Sequence, residues 1–203
     1  MAQQADGLDY PWRTYMTSFM PMQPGLGLLR VSLLGPMGVG KTTALRSLCG
    51  EFIAGSDVRN LDKVTHSKEF TTVGAEFGEI DLGSGERLQL VGSPGQDRFD
   101  FVRRWVLSAS VGALLMVDVN DAGAVDYACE MLTGIAELDQ APLMVILSCR
   151  PASGARLEAF SSALVAKGHD LTPLVEADPR DRQQMLDALS VLASLLSLQS
   201  QTL

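Results

Sequence analysis

A glycine-rich segment between an apolar run and an amphipathic pattern constrains this chain most strongly. It reads Gly-Pro-Met-Gly-Val-Gly-Lys-Thr-Thr over residues 35–43, directly after the aliphatic run of residues 28–34. The residues that follow place Ala44, Leu45 and Leu48 on one side of a helix. The pattern GxxxxGK[ST] between a strand and a helix is typical of a loop whose backbone N–H groups surround a phosphate. The sequence therefore predicts an α/β fold that binds a phosphorylated ligand at this loop.

Two side chains near the end of this segment have the chemistry that a triphosphate requires. The Lys41 ammonium can reach the β- and γ-phosphates, and the Thr42 hydroxyl can bind Mg²⁺. The glycines let the backbone close around an anion, and the N-terminus of the next helix adds partial positive charge. We therefore predict a nucleoside triphosphate as ligand. The alternative is a glycine-rich turn that precedes an ordinary helix.

The remainder of the chain alternates strand-like and helix-like segments. We predict strands at residues 29–34, 75–82, 87–92, 111–119, 142–148 and 172–177. We predict helices at residues 41–54, 99–108, 122–138, 154–167 and 179–198, with Asp178 and Pro179 at the start of the last one. Residues 83–86 read as a hairpin turn, whereas the other connections contain helices. The expected architecture is three-layered α/β: a six-stranded, mostly parallel sheet with one antiparallel strand and helices on both faces.

The first 27 residues differ in composition from the rest of the chain. They combine several prolines and glycines with the apolar side chains of Trp12, Tyr15, Met16, Phe19 and Met20. We predict an N-terminal arm at residues 1–27 and a nucleotide-binding domain at residues 28–203. The arm is expected either to pack on its own domain or to bind a partner, because aromatic and Met side chains favour interfaces.

Charge and cysteine content restrict the compartment and the partners. The chain carries 16 basic and 24 acidic residues, a net charge of -8, so non-specific nucleic-acid binding is not expected. Its three cysteines are far apart and lack metal-ligand spacing, which fits a reduced, cytoplasmic setting. No apolar run reaches the roughly eighteen residues of a transmembrane helix, so no integral membrane segment is predicted.

Two further segments resemble those of small Ras-like GTPases. Residues 90–99 read Leu-Val-Gly-Ser-Pro-Gly-Gln-Asp-Arg-Phe, which is similar to the TPGQERF variant of that family's DxxGQE segment. Residues 72–78 read Thr-Val-Gly-Ala-Glu-Phe-Gly, which is similar to the TIGVEFG stretch of the Rab branch. With the glycine-rich loop, these segments follow the family's order over residues 28–199. The chain most resembles the prokaryotic branch of MglA-type GTPases and the relatives paired with roadblock-domain proteins.

This resemblance implies a bacterial, cytoplasmic GTPase with the P-loop NTPase fold, Mg²⁺ as cofactor and GTP or GDP as ligand. It implies a molecular switch with slow intrinsic hydrolysis and a regulatory protein partner, such as a roadblock-domain protein. Gln96 would orient the attacking water and act with Lys41 in catalysis, while Thr72 would bind Mg²⁺ together with Thr42; Thr71 competes for that role. The implied nucleotide contacts are Gly35, Gly38, Val39, Gly40, Lys41, Thr42, Thr43, Thr72, Gly95, Ser148 and Asp178.

Two positions depart from the family's pattern. Gly92 stands where the family has the Asp of DxxG, which holds Mg²⁺ through water, so weaker Mg²⁺ binding is expected unless another carboxylate such as Asp118 serves. Pro151 stands where the Asp of NKxD accepts two N–H bonds from guanine, and proline has no side-chain acceptor. The choice between guanine and adenine therefore stays open. Asp178 is either a base contact or the cap of the last helix.

Two other functions remain compatible with these segments. A degenerate P-loop adaptor with weak or relaxed nucleotide specificity is favoured by Gly92 and Pro151 and opposed by the intact phosphate loop and Gln96. A P-loop kinase of a small molecule needs a mobile lid with several arginines. The basic run at residues 101–105 lies too close to the Pro-Gly-Gln turn to form one.

The connection between the first helix and the second strand is expected to change with the nucleotide. Residues 55–67 are predicted to form the first mobile switch of the Ras-like pattern. Arg59 and Lys63 lie within it, either as equivalents of an arginine finger or as solvated surface charge.

Overall fold

The computed structural model describes residues 28–50, 53, 57–59, 70–72, 75–83, 86–95 and 100–200. The structural findings concern these residues. The predicted arm at residues 1–27 lies outside them, and so do Gln96 and Lys63.

Eight strands and five helices are formed within the described residues. The strands are β1 (Leu28–Leu34), β2 (Asp57–Arg59), β3 (Phe70–Thr72), β4 (Glu76–Gly83), β5 (Glu86–Gly92), β6 (Gly112–Val117), β7 (Leu143–Ser148) and β8 (Leu174–Glu176). The helices are α1 (Lys41–Cys49), α2 (Asp100–Ser108), α3 (Ala124–Ala136), α4 (Gly154–Ala166) and α5 (Arg182–Ser200). No helix among them is both long enough and apolar enough to cross a bilayer.

Six of the strands form one sheet in the order β4-β5-β1-β6-β7-β8. Strand β4 pairs antiparallel with β5, and every other neighbouring pair in this sheet is parallel. This confirms the predicted α/β fold with one antiparallel strand. The carboxyl ends of the parallel strands meet at one edge, where ligands bind in such folds. The start of the antiparallel strand β4 lies at the same edge.

The two faces of the sheet are covered by separate apolar cores. Leu33 of β1 is fully buried in a cluster with Leu45 of α1 and Leu189 of α5. Its neighbour Leu34 is fully buried in a second cluster with Phe160 of α4 and side chains of α3. Because successive strand residues point to opposite faces, a strand covered on both faces needs a continuous apolar run. That requirement explains the aliphatic composition of β1, β6 and β7.

The last helix begins three residues later than the sequence predicts. Its start is capped by Asp181, whose Oδ1 accepts hydrogen bonds from the backbone N–H groups of Gln183 and Gln184 at 2.9 and 3.2 Å. The prediction that Asp178 caps this helix was therefore wrong. At the first helix, α1 ends at Cys49 and not near residue 54, since the next residue is a glycine with positive φ.

A second, two-stranded sheet forms where the sequence predicts no strand pair. Strands β2 and β3 are antiparallel, with Asp57 opposite Thr72. Strand β2 lies inside the predicted switch at residues 55–67. Three-residue strands are too short to show an alternating pattern, so periodicity does not detect them.

Candidate functional site

The segment between β1 and α1 forms a loop whose glycines are needed for its conformation. Gly35, Gly38 and Gly40 have φ angles of 143°, 82° and 121°, a region that other residues rarely adopt. A Cβ at Gly35 would also collide with the carbonyl oxygen of Met116, and one at Gly40 would lie 3.0 Å from Cγ of Pro179. The loop is thus fixed by its own backbone and by close packing against β6 and the segment after β8.

Lys41 directs its ammonium group back into this loop. Its Nζ donates hydrogen bonds to the carbonyl oxygens of Gly35 and Pro36 at 2.7 and 2.9 Å, and the residue is 9% exposed. A Cβ at Gly95 would lie 2.8 Å from this Nζ and 2.7 Å from the backbone nitrogen of Met37. The structure therefore places Gly95 next to the Lys41 ammonium. A side chain at position 95 would collide with that ammonium and with the Met37 backbone.

The Thr42 hydroxyl contacts a buried carboxylate that the sequence interpretation missed. Its Oγ1 lies 2.9 and 2.8 Å from Oε1 and Oε2 of Glu76, the first residue of β4. Asp118, the substitute named from the sequence, instead accepts hydrogen bonds from the backbone and side chain of Asn120 at 3.0 Å. The carboxylate next to the predicted metal-binding hydroxyl is thus Glu76.

These oxygen atoms suit a metal ion that arrives together with phosphate. Among the described residues, no group of three or more His, Cys, Asp or Glu side chains could hold a metal by itself. Mg²⁺ is typically bound by one or two protein oxygen ligands, with substrate phosphates and water completing its shell. Thr42 and Glu76 fit that requirement. Thr72, the second predicted ligand, is the last residue of β3, and its side chain lies outside the described structure.

Arg150 links the segment after β7 to the phosphate loop. Its Nη1 donates to the carbonyl oxygen of Val39 at 3.2 Å and to that of Cys149 at 2.8 Å. Its Nη2 lies 3.5 Å from the carbonyl oxygen of Gly38. Hydrogen bonds from a charged donor are stronger than neutral ones, so this side chain ties the phosphate loop to the segment after β7.

The positions expected to read a base offer few hydrogen-bonding groups. The Pro151 side chain has none, and its carbonyl oxygen accepts from Nδ2 of Asn120 at 3.1 Å. The buried Ser148 hydroxyl lies 3.4 Å from the carbonyl oxygen of Arg150, beneath the same segment. Pro179, which directly follows Asp178, has no backbone N–H to donate to a base. These three residues therefore offer few hydrogen-bonding groups to the edge of a base.

The Asp178 side chain is held by Arg180, while its backbone N–H donates to Oε1 of Gln184 in α5 at 2.9 Å. The Arg180 guanidinium donates to both of its carboxylate oxygens, at 2.9 Å from Nε and 2.6 Å from Nη2, and the Arg180 backbone N–H adds a third bond. These bonds lower the pKa of Asp178 to about 2. Asp178 is thus ionised at neutral pH. A nucleotide base would have to compete with Arg180 for hydrogen bonds to its carboxylate oxygens.

A cleft of about 600 Å³ opens beside the loop, within the size range of small-molecule sites. One wall is the phosphate loop with Gly95 and Arg150. The opposite wall comes from the end of β6 and the start of α3 and includes Asp118, Asp121 and Tyr127. The cleft gives a ligand bound at the loop access from solvent.

The predicted nucleotide contacts divide into three groups. The structure gathers seven of them around the loop: Gly35, Gly38, Val39, Gly40, Lys41, Thr42 and Gly95. Three others lie elsewhere: Thr43 is exposed on the first turn of α1, Ser148 ends β7, and Asp178 follows β8. Thr72 ends β3, and its side chain lies outside the described structure. Gln96 lies outside the described residues, so its catalytic role stays a prediction.

Comparison with known proteins places the chain in a family. Residues 30–148, more than half of the chain, match the family described as 50S ribosome-binding GTPase. The matched range includes Lys41, Glu76 and Gly95 and ends before Pro151. The comparison with curated proteins gives no significant match. With its mostly parallel sheet and a phosphate loop inside the matched range, the chain belongs to this family of P-loop GTPases.

Proposed function

We propose that this protein is a nucleotide-dependent switch that binds GTP with Mg²⁺ and hydrolyses it slowly. The observation that carries the proposal is the position of Lys41, whose Nζ lies in the loop within 2.9 Å of two carbonyl oxygens. Positive charge is thereby placed at the N-terminus of α1, where backbone N–H groups also favour anions. Thr42, the next residue, supplies an oxygen ligand for the metal.

Hydrolysis requires neutralised phosphate charge and a positioned water. The Lys41 ammonium and the loop N–H groups stabilise negative charge on the β- and γ-phosphates. Gln96 follows Gly95, whose backbone packs against Met37 and Lys41. In this proposal the Gln96 amide orients the attacking water by accepting and donating hydrogen bonds. Mg²⁺ supplies further neutralisation of the phosphate oxygens when it is bound.

The proposal includes a regulatory protein partner, such as a roadblock-domain protein. Helix α2 begins five residues after Gly95, so its position depends on the segment that responds to the γ-phosphate. Trp105 on this helix is 58% exposed. Aromatic side chains are enriched at protein interfaces, which makes this face of α2 suited to a partner that reads the nucleotide state.

A reduced, cytoplasmic setting is also part of the proposal. Cys49, Cys129 and Cys149 are all free thiols in the described structure. Burial raises the pKa of Cys49 and of Cys149 to about 12, so both stay protonated and poorly nucleophilic.

An adaptor with relaxed nucleotide specificity is the second candidate. It is favoured by the Pro151 side chain, which cannot read a base, and by the bonds between Asp178 and Arg180. Such a protein would bind GTP and ATP with similar affinity. It would transmit binding to a partner without depending on hydrolysis.

Identification of the nucleotide that co-purifies with the protein, followed by single-turnover phosphate release with Mg²⁺, tests both candidates. The switch predicts a guanine nucleotide and slow phosphate release that needs no acceptor substrate. Adenine nucleotides, or a bound triphosphate that is never hydrolysed, would contradict it and favour the adaptor. Transfer of phosphate only to an added acceptor would indicate a kinase.

A further inference from the structure

Gly92, the last residue of β5, has no side chain, and the Glu76 carboxylate lies beside it. A Cβ at Gly92 would lie 3.3 Å from Oε2 of Glu76 and 2.9 Å from Cδ1 of Leu45. The space that a longer side chain at position 92 would enter is therefore already flanked by Glu76. This is the position where the Ras-like pattern has its metal-site Asp.

The sheet register explains how Glu76 arrives there. Strand β4 is antiparallel to β5, and Glu76 is directly opposite Gly92 in that pairing. Opposed residues of an antiparallel pair project from the same face of the sheet with Cβ atoms about 5 Å apart. Glu has one more methylene than Asp, so from the neighbouring strand its carboxylate reaches the Thr42 hydroxyl. The single glycine at position 92 leaves the room for this approach.

Among the described residues, few groups balance the charge of Glu76. The residue is 5% exposed, and Thr42 is its hydrogen-bond partner among the described residues. The ion pairs of the described structure do not include it. A hydroxyl has one proton, so it cannot satisfy both carboxylate oxygens. A buried carboxylate is costly unless a cation or several donors balance it, which favours a bound cation at this place.

We infer that Glu76 replaces the metal-site carboxylate that position 92 lacks. It holds the Thr42 hydroxyl and supplies the negative charge that favours Mg²⁺ beside the bound triphosphate. The carboxylate of the metal site is thus supplied by β4 and not, as in the Ras-like pattern, by its antiparallel neighbour β5. This inference rests on the proposed function, because the metal binds together with the nucleotide.

The test measures how strongly Mg²⁺ increases nucleotide affinity. A fluorescent GTP analogue is titrated into wild type and Glu76→Gln, each in Mg²⁺ and in EDTA. Wild type should bind much more tightly in Mg²⁺, and Glu76→Gln should lose on the order of tenfold or more of that increase. Affinity in EDTA should change far less than affinity in Mg²⁺, because in this inference the carboxylate acts mainly through the metal. Glu79→Gln, an exposed carboxylate on the same strand, is the matched control and should keep the full Mg²⁺ effect.

A double variant tests whether a carboxylate at position 92 can replace that of Glu76. Glu76→Ala removes the long side chain, and Gly92→Asp in the same protein places a shorter one on β5. No left-handed backbone conformation prevents a side chain at Gly92, and its nearest neighbour is a flexible methyl of Leu45. The double variant should recover part of the Mg²⁺ effect that Glu76→Ala alone loses. Melting curves show whether each variant is folded; if Glu76→Gln is not, Glu76→Asp, which keeps the charge with a shorter reach, should show a partial loss.

Separate outcomes overturn the inference and the proposed function. A folded Glu76→Gln that keeps the full Mg²⁺ effect would remove Glu76 from the metal site and leave nucleotide binding intact. Equal losses of affinity in Mg²⁺ and in EDTA would instead assign Glu76 a general role in holding the loop. If wild type binds no nucleotide in either condition, the proposed function fails as well.

Discussion

The guanidinium of Arg150 joins the carbonyl oxygens of Val39 and Cys149, at 3.2 and 2.8 Å. Val39 belongs to the phosphate loop, and Cys149 begins the segment where Ras-like GTPases read the base. One side chain therefore connects the phosphate loop to the segment that is predicted to contact the base. Because it donates to backbone carbonyls, its role depends on geometry more than on the identity of its neighbours.

Replacement of Arg150 should weaken nucleotide binding. Arg150→Ala is expected to lower affinity on the order of tenfold, since the two ends of the site are no longer held together. Arg150→Lys should show most of this loss, because an ammonium lacks the planar guanidinium that presents Nη1 to both carbonyls and Nη2 to that of Gly38. Titration with a fluorescent GTP analogue measures the effect, and a melting curve confirms the fold. Unchanged affinity in Arg150→Ala would show that the bridge has no part in binding.

The prediction for catalysis concerns Gln96. Gln96→Leu removes the amide that we propose orients water and leaves the predicted phosphate contacts in place. We expect nucleotide affinity to be preserved and single-turnover hydrolysis to slow on the order of tenfold or more, which is about 1.4 kcal/mol of barrier per factor of ten. Unaltered hydrolysis would assign the role elsewhere, and Arg59 in β2 is the first alternative.

Pro151 carries the prediction for base specificity. Wild type should prefer GTP over ATP only modestly, because a site with few side chains that can hydrogen-bond a base rejects the wrong base weakly. Pro151→Asp should increase that preference by restoring a carboxylate acceptor. The bond from Asn120 is made to the backbone carbonyl of residue 151, so it does not depend on the proline side chain. Competition binding with both nucleotides decides the matter. A wild-type preference of many thousandfold would show that other residues read the base.

Local patterns in the sequence predict the phosphate loop and the sheet. The spacing of Gly35, Gly40 and Lys41 fixes the loop, because it depends on neighbouring residues alone. The apolar runs of β1, β6 and β7 identify the buried strands for the same reason. Glu76 could not be identified in this way, because its role follows from its register with Gly92 on another strand.

Competition between similar residues explains the error at the last helix. Asp178 with Pro179 has the pattern of a helix start, and Asp181 lies only three residues further on. In the structure, Arg180 binds the first carboxylate and leaves the second to cap the helix. The reach of Arg150 to the phosphate loop is likewise a result of tertiary packing, which local sequence does not encode.

One titration tests most directly whether the Lys41 ammonium binds the phosphates of a nucleoside triphosphate. Fluorescent GTP with Mg²⁺ is titrated into wild type, Lys41→Ala and Lys167→Ala, whose exposed ammonium pairs with Asp126. Lys41→Ala should lose affinity on the order of a hundredfold while its melting temperature without nucleotide changes little, since the variant leaves the apolar core intact. Lys167→Ala should bind as wild type does. Wild-type affinity in a folded Lys41→Ala would show that this ammonium does not bind the phosphates.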